Sequence, residues 1–189
     1  ILLQGLPGNE TDVLGLCNNI SQADINVITF NYSGTFRSEG ERNWENTQED
    51  IKAVFAFIHQ SDIIKKYNID TNKVCLGGYS YGGGMALTYA SQHQEIKRII
   101  SIAGNDHCAF MKEYIRNKEL REMIDDIFEK LKAPDGPVRF AKGGTPSEVA
   151  KINMDPKYDL VKMAPLLKEK AILIISGWDD QQVKIENNI

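Results

Sequence analysis

The stretch that most limits how this chain can fold is Gly78-Tyr79-Ser80-Tyr81-Gly82. It lies between an apolar run, Lys73-Val74-Cys75-Leu76-Gly77, and a small-residue segment, Gly83-Gly84-Met85-Ala86-Leu87. A strand that turns straight into a helix holds its turning residue in a strained backbone, and small residues two before and two after it avoid Cβ clashes. The pattern predicts a tight strand-to-helix hairpin with Ser80 Oγ held clear of a sheet. A glycine-rich phosphate loop also feeds a strand into a helix N-terminus. Here no Lys-Ser or Lys-Thr pair follows the glycines, and they miss the G-x-G-x-x-G spacing with an acid about twenty residues on.

Around this hairpin, strand-like and helix-like runs alternate. Residues 1–4 read as a strand, and Val13, Leu16, Cys17 and Ile20 share one face of a following amphipathic segment. Residues 26–31 read as a second strand, followed by a polar loop over 32–46. The next helix is expected to start at Thr47-Gln48-Glu49-Asp50, a capping-box-like pattern, with Ile51, Val54, Phe55 and Ile58 at helical spacing. The elbow strand, its helix to about Ser91, and a strand over 98–103 complete the first half. Strands this apolar, alternating with helices, predict an α/β fold: a mostly parallel, doubly wound sheet covered by helices on both sides.

The rhythm breaks after Gly104. From 107 to 165 no strand is evident; Leu120, Met123, Ile124, Ile127, Phe128 and Leu131 form an amphipathic stripe, and a glycine- and proline-rich stretch follows over 134–146. We expect residues 107–165 to be a helical cap insertion over the strand ends, with 1–106 and 166–189 forming the core. The competing reading is an ordinary sheet-covering helix, because an apolar stripe shows burial but not against what. The sheet resumes over 171–176.

Composition narrows the chemistry. With 189 residues and 42% hydrophobic content, one sizeable core is the expectation. A formal charge of -4, with basic residues scattered among acids, lacks the basic excess of a nucleic-acid binder. No run is long and apolar enough to span a bilayer, and no metal or cofactor is called for. Cys17, Cys75 and Cys108 are odd in number and widely spaced, which suits reduced thiols and favours a cytoplasmic setting. Cys75 reads as strand core, and Cys108, beside His107, is a weak candidate nucleophile without a third positioned group. The chain opens inside a strand without an initiator Met and stops just past another, so we expect it to be the middle of a longer protein.

Four stretches together resemble the α/β-hydrolase superfamily, and within it the dienelactone-hydrolase-like and prolyl-oligopeptidase-like serine hydrolases. Gln4-Gly5-Leu6-Pro7-Gly8 is similar to a His-Gly-x-Pro-Gly oxyanion loop. The run from Asn31 to Gly40 resembles the loop after the next strand. The elbow is the third, and Ser176-Gly177-Trp178-Asp179-Asp180-Gln181-Gln182-Val183 resembles the acid loop with its Gly-x-x-Asp-x-x-Val pattern. Loops at the C-terminal ends of parallel strands share one edge, so these stretches can meet at one cleft.

The resemblance implies Ser80 as nucleophile, Asp180 as the orienting acid, and the backbone N–H groups of Leu6 and Tyr81 as oxyanion donors. Asp179 and Asp106 are alternative acids. Family order runs Ser, acid, His, yet His59, His93 and His107 all precede Asp180. His59 and His93 read as surface groups, and His107 is the one that could reach the cleft. We expect the general base beyond Ile189, in the loop after one further strand. Two positions depart from the family pattern: Gln4 replaces histidine, and Ser33 stands where relatives often carry arginine.

The implied function is a serine hydrolase cleaving a carboxylic ester or related acyl bond through an acyl-enzyme on Ser80. A prolyl-oligopeptidase-like peptidase is the alternative within the class. A non-catalytic binding protein that keeps the fold is the alternative of another class. The partner expected is a small-molecule ester or short peptide; oligomeric state and acyl specificity are not legible.

Overall fold

The structure, a computed structural model, describes residues 1–11 and 13–180. Four strands, β1 (Leu2–Leu3), β2 (Leu76–Tyr79), β3 (Arg98–Ile102) and β4 (Ala171–Ile175), pair in that order, and every pairing is parallel. Parallel pairing puts all the strand C-termini on one edge, where Ser80 follows β2, Ala103 follows β3 and Ser176 follows β4. This is the α/β architecture that the alternation predicted.

Eight α-helices accompany the described strands: α1 (Leu16–Ser21), α2 (Trp44–Ile58), α3 (Ser61–Tyr67), α4 (Tyr81–Gln92), α5 (His107–Arg116), α6 (Lys118–Leu131), α7 (Pro146–Val149) and α8 (Leu160–Leu167). The main core joins Leu3, Leu76 and Ile99 of the sheet to Met85, Leu87 and Tyr89 of α4, Ile51 of α2 and Leu160 of α8. Helix α4 is buried from Tyr81 to Ser91. Its glycines and alanines permit that close approach, as small residues let backbones meet.

Several expectations need correction. Residues 26–31 do not form a strand. The segment lies beside β1 and accepts one bond from it, Leu2 N–H to Ile28 C=O at 2.9 Å. Helix α2 begins at Trp44 rather than Thr47, because Asn43 caps it, its side chain accepting from Asn46 N–H at 2.7 Å. Thr47 is instead a fully buried helix residue: its hydroxyl donates to Asn43 C=O and accepts from Tyr81 OH at 2.9 Å. Cys75 precedes β2 and is half-buried. Helix α1 buries none of its residues.

The 107–165 stretch is divided by its packing. Helices α5, α6 and α7 pack on one another around Met111, Tyr114 and Val149, a cluster apart from the main core. Helix α8 packs on α4 and shares the main core. Between α6 and α7 the chain runs back along the loop after residue 31. Arg139 N–H donates to Gly34 C=O, Arg42 N–H to Arg139 C=O, and Phe36 N–H to Pro137 C=O, each at 2.7 Å. Strand β4 differs from its neighbours, since all five of its residues are exposed and its four aliphatic side chains lie open at 36–52%.

Candidate active site

Ser80 stands between β2 and α4 with φ 52° and ψ −121°, a region that L residues seldom occupy. Its backbone is held by Ser80 N–H donating to Ile102 C=O at 2.8 Å and by Gly83 N–H donating to Ser80 C=O at 2.9 Å. The flanking glycines explain why the turn can close. A Cβ on Gly78 would stand 2.3 Å from the Gly82 carbonyl, and one on Gly82 would stand 2.5 Å from Gln4 O. The second contact also brings the Gln4–Gly8 loop against the elbow.

That loop delivers Leu6, which precedes Pro7 through a cis peptide bond. Leu6, Ser80 and Tyr81 line one cavity of about 220 Å³. Among the described residues neither Leu6 N–H nor Tyr81 N–H has an acceptor, so two residues with unengaged amide donors line the cavity with the serine. Tyr81 itself is pinned by its hydrogen bond to Thr47 and by edge contact with Tyr32, whose hydroxyl donates to Gln4 C=O at 2.7 Å. The substituted Gln4 is 2% exposed, and both its side-chain polar atoms lack partners.

Part of the lining is apolar. Leu120, Met123, Ile124, Ile127 and Phe128 of α6 face the cavity that Ser80 faces. Of the expected stripe only Leu131 is fully buried, and Met123 is 41% exposed, as befits side chains lining a cleft rather than a sheet. The sequence stripe was visible; its target was not.

His107 also lines the cavity, at the start of α5 and 2% exposed. It packs between Trp44 and Tyr81, at ring separations of 5.1 and 5.4 Å. Burial, with the nearby Arg42 charge, lowers its pKa to about 3, and its Nε2 has no partner. No hydrogen bond joins it to Ser80 or to a carboxylate. An imidazole so hard to protonate is a poor proton acceptor near neutral pH. His59 and His93 lie elsewhere, as the C-caps of α2 and α4, His59 exposed and His93 stacked on Tyr89 at 3.9 Å.

The three candidate acids separate. Asp106 is 3% exposed and spends both oxygens on backbone donors. Oδ1 accepts from Ala109 N–H at 2.8 Å, capping α5, and Oδ2 accepts from Leu160 N–H at 2.8 Å, at the start of α8. Asp179 and Asp180 lie in the turn after β4, on the same sheet edge as the elbow, with Asp180 N–H donating to Gly177 C=O at 3.4 Å. Neither lines the cavity. Residues Gln181 to Val183 of the acid-loop match, and the expected general base, fall outside the described residues.

Two more observations bear on chemistry. Cys108 is buried, and that burial, with Asp106 and Asp159 nearby, pushes its thiol up to about 11, so it is no thiolate nucleophile. Ser33, at the expected arginine position, donates both its N–H and its hydroxyl to Asp50, at 2.7 and 2.5 Å. Sequence reasoning missed Arg42, Trp44 and Asn105, which also line the cavity. An arginine in a polar loop reads as solvated, and nothing local announces that it is 1% exposed.

Comparison with known proteins places the chain. A family model described as alpha/beta hydrolase fold matches residues 1–181. Proline iminopeptidase of Thermoplasma volcanium is 28% identical over 130 residues, covering 69% of this chain and 41% of that protein. Proline iminopeptidase of Saccharolobus solfataricus is 26% identical over 133 residues, covering 70% and 40%. This chain thus spans about two-fifths of these curated relatives. A solved structure from the metagenome-derived lipolytic enzymes LipS and LipT superposes with a TM-score of 0.59 at 16% identity, covering 99% of this chain and 74% of that one.

Proposed function

Since the chain belongs to the α/β-hydrolase family, we propose that it is a serine hydrolase that cleaves a carboxylic ester through an acyl-enzyme on Ser80. The observation that carries this reading is the lining of one cavity by a serine at φ 52° and by Leu6 and Tyr81, two residues whose backbone N–H groups have no acceptor among the described residues. Attack by Ser80 Oγ on an acyl carbon converts the carbonyl oxygen to an oxyanion. Two fixed amides facing that oxygen stabilise it without reorganisation, an effect worth about 3 kcal/mol per donor.

In this proposal Asp180 orients the base, and the base itself comes from residues outside those described. His107 does not serve, since it meets neither Ser80 nor an acid. Helices α5 to α7 act as a cap whose α6 stripe receives the acyl chain.

The curated relatives are named as proline iminopeptidases, so peptide cleavage is the competing reading. The cavity argues against it. An aminopeptidase must hold a protonated amine, and among the described residues lining this cavity there is no carboxylate, whereas Arg42 adds a positive charge. Like charges in a low-dielectric wall repel strongly.

The test is covalent labelling. A fluorophosphonate is expected to modify Ser80 in the complete protein, identified by peptide mass, and Ser80→Ala is expected to abolish labelling while the circular dichroism spectrum is retained. Undiminished labelling of the Ser80→Ala protein would overturn the assignment.

A further inference from the structure

We propose that the substrate carries a carboxylate besides its scissile acyl bond, and that Arg42, which lines the same cavity as Ser80, binds it. The proposal rests on the ester-hydrolase reading of this cavity and names its substrate class.

Arg42 is the largest fully buried side chain among the described residues. A guanidinium is a cationic, planar donor, yet no described carboxylate forms an ion pair with that of Arg42. Nη1 donates to Gly144 C=O at 3.3 Å, and Nε has no partner. The half-buried Asp50 carboxylate gives both its oxygens to Ser33 instead. The guanidinium carbon lies 4.3 Å from the centre of the Tyr81 ring and 5.6 Å from that of Phe140. Ring faces offset part of the desolvation of a cation, but a buried charge is fully compensated only by an opposite charge with good hydrogen-bond geometry.

The rest of that wall is suited to the same guest. Asn105, 9% exposed, and the unpartnered Nε2 of His107 belong to the cavity that Arg42 lines. Both side chains can donate to an anion while uncharged. The α6 stripe lines the same cavity, so the lining combines cationic and hydrogen-bonding groups with apolar ones and includes Ser80. A neutral ester leaves the guanidinium unanswered, and an ammonium is repelled by it. A carboxylate matches the planar donor fork.

A binding experiment tests this without requiring turnover. In the complete protein carrying Ser80→Ala, monomethyl glutarate and dimethyl glutarate are titrated by NMR. The two differ by one negative charge and one methyl group. The monoester is expected to bind at least about tenfold more tightly, the equivalent of about 1.4 kcal/mol, and its advantage to shrink as salt is raised. Adding Arg42→Gln is expected to bring the ratio to near one, and Arg42→Lys to keep part of it. A bracket that merely joins Tyr81 to Gly144 would alter both affinities alike. Equal affinities in the Arg42 protein, or an unchanged preference in Arg42→Gln, would overturn the proposal. If Arg42→Gln does not fold, the ratio in the Arg42 protein and in Arg42→Lys decides. Because Ser80 is already absent, a preference seen here together with failed fluorophosphonate labelling would sink the hydrolase mechanism and leave the carboxylate site standing.

Discussion

Ser80 keeps its strained backbone only because nothing projects from residues 78 and 82. Gly78→Ala would put a methyl group 2.3 Å from the Gly82 carbonyl carbon and oxygen, backbone atoms with no room to retreat. We expect it to destabilise the protein by about 3 kcal/mol or more, read from urea unfolding. His107 gives a pH signature. Its folded pKa of about 3 lies below the ordinary value near 6.5, so protonation favours the unfolded chain. Its neutral form carries no penalty above pH 6.5; as pH falls from 6.5 towards 3, stability is lost at up to about 1.4 kcal/mol per unit. Wild type is expected to lose more stability over that window than His107→Gln, and the His107 ring protons are expected to show no NMR titration between pH 8 and 4. Leu6 and Tyr81 were named through the family resemblance, whereas the strained turn at Ser80 was legible in the sequence because glycine spacing encodes backbone geometry. Arg42 was not, since its burial comes from Gly144, 102 residues away, and from the rings of Tyr81 and Phe140.

At the scale of elements, the alternation of apolar runs announced β2, α4, β3 and β4 to within a few residues, but two starts went astray for physical reasons. Asn43 outcompetes Thr47 as a cap because the Thr47 hydroxyl is drawn inward to Tyr81. The 26–31 run has strand composition yet shares a single bond with β1, and pairing is a property of two segments, not one. Asp106, one of the candidate acids, joins two elements by serving the N-termini of α5 and α8. Asp106→Ala removes the α5 cap and leaves the buried Leu160 N–H of α8 without its acceptor, although Asp159 still caps α8, and a loss of about 2–4 kcal/mol is expected in urea unfolding, the cap being worth about 1–2 and the orphaned donor about 1–3. A loss near zero would mean water replaces both contacts. Helix α6 offers a different test, because its stripe lines the cavity. Ile127→Trp is expected to lower kcat/KM for 4-nitrophenyl octanoate relative to acetate by about tenfold; an unchanged ratio would move the acyl chain to another wall.

Over the whole molecule, the loop after residue 31 is zipped to residues 137–141 by backbone bonds between segments a hundred residues apart, so the cavity wall that holds Arg42 is closed by long-range pairing. Such contacts leave no periodic mark, which is why the sequence revealed a helical region near the cleft but not how it is fastened. Strand β4 has the opposite character. Ala171-Ile172-Leu173-Ile174-Ile175 has no charge, proline or glycine, and its aliphatic side chains stand open on both faces. Short apolar β-segments of this kind act as templates for one another. Wherever that strand lacks cover, neighbouring copies are expected to stick, with light scattering growing steeply with concentration and suppressed by Leu173→Lys. Until that strand is covered, the nascent chain is expected to offer a chaperone an extended apolar stretch at residues 171–175.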